Sequence, residues 1–91
     1  MAYILTRINV GDYDAWKPMF DQDRPRARES ASGWRIFRGV EDPNEVFLQV
    51  EFASPDDAQT ARERLLASGV LDRFDDKTGP TVVDEAEVVS R

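Results

Sequence analysis

The chain is 91 residues long, 41% hydrophobic and 10% aromatic, which suits one small globular domain and not a disordered segment. It has no cysteine and no histidine, which excludes disulfides, zinc–thiolate sites, thiol nucleophiles and imidazole bases or ligands. The formal net charge of −6 opposes a phosphate backbone, so no nucleic-acid partner is expected.

Ala2 to Val10 (AYILTRINV) is branched and aromatic and predicts a first strand. Its alternation puts Ile4, Thr6, Ile8 and Val10 on one face and Tyr3, Leu5, Arg7 and Asn9 on the other. Gly11 ends it, and Asp12 is placed to cap a helix. Tyr13, Trp16 and Phe20 then fall at i, i+3 and i+7 on one helical face. Pro18 removes a hydrogen bond inside that helix, and Pro25 suggests a second start. A broken helical segment is therefore expected from Asp12 to about Ser30, with Arg24, Arg26 and Arg28 on a solvated face.

Gly33 to Phe52 (GWRIFRGVEDPNEVFLQVEF) predicts a β-hairpin. Trp34, Ile36 and Val40 alternate with Arg35 and Phe37 before Asp42-Pro43-Asn44 supplies the turn. Beyond it, Val46, Leu48, Val50 and Phe52 alternate with Phe47, Gln49 and Glu51. Ser54-Pro55-Asp56-Asp57 opens a second helix with an N-cap, a first-turn proline and first-turn acids. Ala58, Ala61, Leu65 and Leu66 should face inward, and Ser68-Gly69 should stop the helix. Val70, Leu71 and Phe74 predict one further helical turn. Asp75 to Pro80 reads as a loop, and Thr81 to Val89 as a last strand.

The order β-α-β-β-α-β specifies an α+β, ferredoxin-like fold spanning 1–91 as one domain, with a four-stranded antiparallel sheet and both helices on one face. Right-handed crossovers put the first and third strands in the centre. The apolar set Val46, Leu48, Val50 and Phe52 then belongs under the helices. The bare face carries Tyr3, Leu5, Arg7, Phe47, Gln49 and Glu51, too apolar for plain surface and too polar for a dry core. These six are the candidate interface of a homodimer, in which two sheets pack face to face. Pairing with a copy also adds core to a chain of this size. Arg7 and Glu51 are expected to pair on that face.

Taken with this order, three stretches resemble the dimeric α+β barrel superfamily, and within it the antibiotic-biosynthesis-monooxygenase-like and small "cyclase" proteins. They are Gly11-Asp12-Tyr13-Asp14-Ala15-Trp16-Lys17-Pro18, then Arg38 through the corner Glu41 to Val46, and Glu51-Phe52 followed by the Ser-Pro-Asp cap. The resemblance spans almost the whole chain and implies a cavity between sheet and helices. In related oxygenases such a cavity holds an aromatic substrate whose own anion reacts with oxygen; other members degrade haem or isomerise lactones. Where the haem degraders keep an asparagine this chain has Thr6, with Asn9 further along. Ala58 to Ala67 carries none of their tryptophan, and no histidine exists to ligate haem.

Trp16, Phe20 and Phe52 are candidates to line an apolar ligand pocket, with the Tyr13 hydroxyl at its mouth; the same stripe also suits plain core. Asp84 and Glu85 are candidate bases by location only, and solvated edge charges that discourage strand-to-strand association are the preferred reading of them. No metal or cofactor is expected. Two roles remain: a dimeric module binding a hydrophobic or aromatic small molecule, or a cofactor-independent monooxygenase, isomerase or cyclase of an aromatic metabolite. The first is preferred. No apolar run approaches the roughly 20 residues of a membrane span, and Met1 to Val10 lacks a basic lead, so a soluble, cytoplasmic protein is expected.

Overall fold

A computed structural model describes all residues 1–91. Strand β1 (Ala2–Asn9) leads to helix α1 (Tyr13–Gln22), then strands β2 (Gly33–Arg38) and β3 (Glu45–Phe52). Helix α2 (Pro55–Ser68), a 3₁₀ turn (Val70–Arg73) and strand β4 (Lys77–Asp84) complete the chain. The sheet is antiparallel in the order β2-β3-β1-β4. This is a ferredoxin-like α+β fold, with β1 and β3 central as the connectivity requires.

The register follows from the alternation. Ile4 pairs with Val50, Thr6 with Leu48 and Ile8 with Val46, all facing the helices. Ala2, Ile4, Val50 and Phe52 join Ala58 and Ala61 of α2 in one buried cluster. Two alanines at i and i+3 let α2 lie close to the strands, and Arg62 Nε secures it by donating to the Pro80 carbonyl of β4 at 2.8 Å. Leu66, expected inward, is exposed, because Ala58, Ala61 and Leu65 define the packed face one residue away from it.

Helix ends follow local chemistry. Asp12 Oδ1 accepts from the amides of Asp14 and Ala15, and Ser54 Oγ from that of Asp57. Gly69 closes α2 in the left-handed region at φ 74°. The first helical segment departs from expectation. Helix α1 runs unbroken through Pro18, which sits on the exposed side and gives up a single bond. It ends instead at Asp23, in a left-handed conformation at φ 44°, and turns replace the expected restart at Pro25.

The last strand is also displaced. Lys77 and Thr78, expected in a loop, pair with Ile8 and Arg7. A register shift between Leu5 and Arg7 accommodates Gly79-Pro80, where proline has no amide to give the ladder. At the other end Asp84 pairs with Ala2 and the Glu85 amide donates to the Met1 carbonyl at 3.1 Å, while Ala86 to Val89 lie outside the strand. Val40, expected to continue β2, is fully exposed in the corner between β2 and β3.

Candidate functional site

Helix α2 rests on the strands; α1 does not. No Cα of α1 lies within 8 Å of a Cα in any other strand or helix. Its N-terminus is held out by the β2–β3 corner: Asn44 Oδ1 accepts from the Tyr13 amide at 3.1 Å, and the Asn44 carbonyl accepts from Val10 N at 2.9 Å. The corner is itself tied to β1, with Asn9 Nδ2 donating to Asp42 Oδ2 at 3.1 Å. Long side chains must bridge the gap that results.

That gap is a cavity of about 230 Å³ between α1, the segment Asp23–Arg28, the 3₁₀ turn and the sheet. Ile4, Thr6, Ile8, Leu48, Val50 and Phe52 floor it, and Trp16, Met19 and Phe20 form the α1 wall. Leu65, Val70, Leu71 and Phe74 close the opposite side. The Trp16 and Phe20 rings pack in a tilted pair, 5.0 Å between centroids and 35° between planes. Of the four candidate pocket residues, Trp16, Phe20 and Phe52 therefore come together on one cavity. Tyr13 is not in its lining: its ring lies 5.7 Å from Trp16 and under the Arg38 guanidinium at 3.8 Å.

Arg28 was expected on a solvated face and is instead buried, its side chain only 8% exposed. The guanidinium lies 3.6 Å above the Phe20 ring and 4.6 Å from that of Trp34. It also donates to the Phe20 carbonyl. Asp23 holds it from behind: Oδ1 stands 3.6 Å from Arg28 Nε and Oδ2 accepts from the Arg28 amide at 3.1 Å. Burial pulls the Arg28 guanidinium below its ordinary range, while the Asp23 and Asp21 charges oppose that shift. No local signal marks Arg28, because its ring partners lie eight residues before it and six after it in the chain. Only the left-handed turn at Asp23 brings them together.

The opposite face of the sheet has no covering layer. Leu5, Phe37 and Phe47 are substantially exposed there, over an open depression of about 420 Å³ that also involves Arg7, Gln49 and Val83. Arg7 does not pair with Glu51, which sits opposite Tyr3 in the register. Arg7 stands opposite Phe47, so its diagonal neighbour Glu45 takes Nε at 2.7 Å, and Asp76 takes Nη1 at 2.8 Å. These bonds push the Arg7 guanidinium further up and hold the Asp76 carboxyl below the usual carboxylate range. Desolvation and the Glu85 carboxylate, which accepts from Tyr3 Oη at 3.2 Å, raise the Tyr3 hydroxyl above the ordinary tyrosine value. Asp84 and Glu85 are both exposed. No group of three or more acidic side chains is assembled that would hold a metal ion.

No family model matches the sequence, and no curated protein sequence matches it. The fold is similar to the solved structure of Rv0793 from Mycobacterium tuberculosis, with a TM-score of 0.64 at 15% identity over 98% of each chain. At that identity the likeness is one of fold: a small ferredoxin-like α+β domain.

Proposed function

We propose that this protein is a homodimeric small-molecule binder of the dimeric α+β barrel type, in the antibiotic-biosynthesis-monooxygenase-like group. Two copies join through their bare sheet faces, and each keeps a hydrophobic or aromatic ligand between its own sheet and helices. The observation that carries the reading is the stand-off of α1, which leaves an apolar cavity walled by Trp16, Phe20 and Phe52 where close packing is the rule for a domain of this size. Tyr3, Leu5, Arg7, Phe47, Gln49 and Glu51 form the dimer face, with Arg7 already neutralised by Glu45 and Asp76.

Binding is favoured over catalysis by what the cavity wall offers. Proton abstraction there needs a free base. Asp23 is the one carboxylate in the lining, and Arg28 engages both of its oxygens. The wall has no other group suited to the task.

A single-tryptophan variant tests the proposal. Trp34 lies outside the cavity and Trp16 within it, so Trp34→Phe leaves Trp16 as the reporter. Titration with a neutral apolar aromatic such as naphthalene should change Trp16 emission saturably. Val70→Phe, which fills the cavity from the 3₁₀ turn, should abolish the change. No saturable response in the unfilled protein refutes the reading.

A further inference from the structure

The chain carries net charge −6, yet its cavity is rimmed by positive charge. Arg24, Arg28 and Arg73 all line it, with Asp23 as the sole acid. The Asp23 charge is taken up by Arg28. Arg24 and Arg73 have no carboxylate partner: Arg24 Nε donates to Gln22 Oε1 at 3.0 Å, and Arg73 Nη2 lies 3.5 Å from Met19 Sδ. In a chain with 18 acidic residues, two unpaired guanidiniums beside one apolar cavity make a local excess of positive charge. Their planar forks match a carboxylate, and the rings and aliphatic floor match an apolar body.

We infer that the cavity selects a small amphiphilic carboxylate, its apolar or single-ring body against Trp16, Phe20 and Phe52 and its anionic head toward Arg24 and Arg73. This rests on the binding role proposed above and adds to it the chemical class of the ligand. Size agrees. A water occupies about 30 Å³ in the liquid, so about 230 Å³ holds a ligand of on the order of ten non-hydrogen atoms. A phenylalkanoate has that size. Naphthalene, with ten carbons, is at the same limit, and a compound of three or more fused rings exceeds it.

The test compares phenylpropionate with phenylpropionamide, a neutral isostere, by calorimetry and by Trp16 emission in the Trp34→Phe protein. The acid should bind about tenfold more tightly than the amide, and added salt should reduce that preference. Arg24→Gln and Arg73→Gln change exposed side chains, so the fold should be retained. Each should weaken the acid several-fold and leave the amide unchanged. The double variant Arg24→Gln/Arg73→Gln should remove the preference, with circular dichroism confirming that the fold is retained. Equal binding of acid and amide, or unchanged acid affinity in both the Arg24 and Arg73 variants, overturns the inference while the apolar cavity keeps its role. Binding of neither compound also overturns the inference, and if a neutral apolar aromatic gives no response either, the binding role falls with it.

Discussion

Phe47→Ala offers a direct measure of the bare sheet face. Leu5, Phe37 and Phe47 are 42%, 47% and 40% exposed in the single chain. With a whole side chain of this kind at on the order of 200 Å², their exposed portions come to about 250 Å² per protomer, or about 500 Å² in a symmetric pair. At about 25 cal/mol per Å² this burial contributes roughly 12 kcal/mol, comparable with the cost of association of about 4–15 kcal/mol. Association of the proposed dimer should therefore depend on each of the three. Phe47 accounts for about 160 Å² over two copies, or about 4 kcal/mol. Its truncation should weaken the dimer by two to three orders of magnitude, on the scale of about 1.4 kcal/mol per tenfold. Sedimentation equilibrium across micromolar concentrations measures the shift, and far-ultraviolet circular dichroism should stay unchanged because Phe47 is outside the core. Val40→Ala is the control: it removes fully exposed apolar surface, but from the corner and not from the sheet face. A monomeric wild-type chain, or a Phe47→Ala dimer as tight as the parent, refutes the reasoning.

Other substitutions probe the fold that supports the cavity. Phe52 is fully buried at the end of β3, and Phe52→Ala should cost about 3–5 kcal/mol, lowering the melting temperature by at least about 12 °C. Gly79 has φ 91°, and an added Cβ would lie 2.6 Å from the Leu5 carbonyl oxygen. Gly79→Ala should therefore destabilise by about 1–3 kcal/mol and lower the urea midpoint, overriding the unfolded-state benefit of about 0.4–1 kcal/mol. Acid unfolding tests Asp76: its folded pKa is depressed by Arg7, so its contribution is present above the ordinary carboxylate value and is lost as pH falls through the depressed one. Asp76→Asn should lower stability slightly at neutral pH and flatten the dependence of urea stability on pH in the acid range. The Tyr3 hydroxyl titrates high, so its contribution is present below the ordinary tyrosine value and lost as pH rises through the elevated one. Glu85→Gln should bring its ultraviolet titration midpoint down.

The fold and most of its elements were legible in the chain. Period-two runs in Ala2–Asn9 and Glu45–Phe52 assigned both central strands and their buried faces, because alternation is a local property of an extended backbone. Caps at Asp12, Ser54 and Gly69 were equally legible, each resting on hydrogen bonds or dihedrals within a few residues. Trp16, Phe20 and Phe52 could be nominated together, since two share a helical face and the third closes an apolar strand. Misplaced elements failed for non-local reasons: β4 is bounded by the extent of β1, and the end of α1 by a left-handed turn at a non-glycine residue.

Sequence patterning alone determined the order of elements, the side of the sheet that carries the helices, and the apolar residues under them, since each depends on neighbours within a turn or two. Tertiary structure alone decided the distance at which α1 stands from the sheet, the burial of Arg28 between Phe20 and Trp34, and the partners of Arg7. Those outcomes depend on where segments far apart in the chain meet. The Asn44 tether and the turn at Asp23 set that meeting, and no periodicity encodes it.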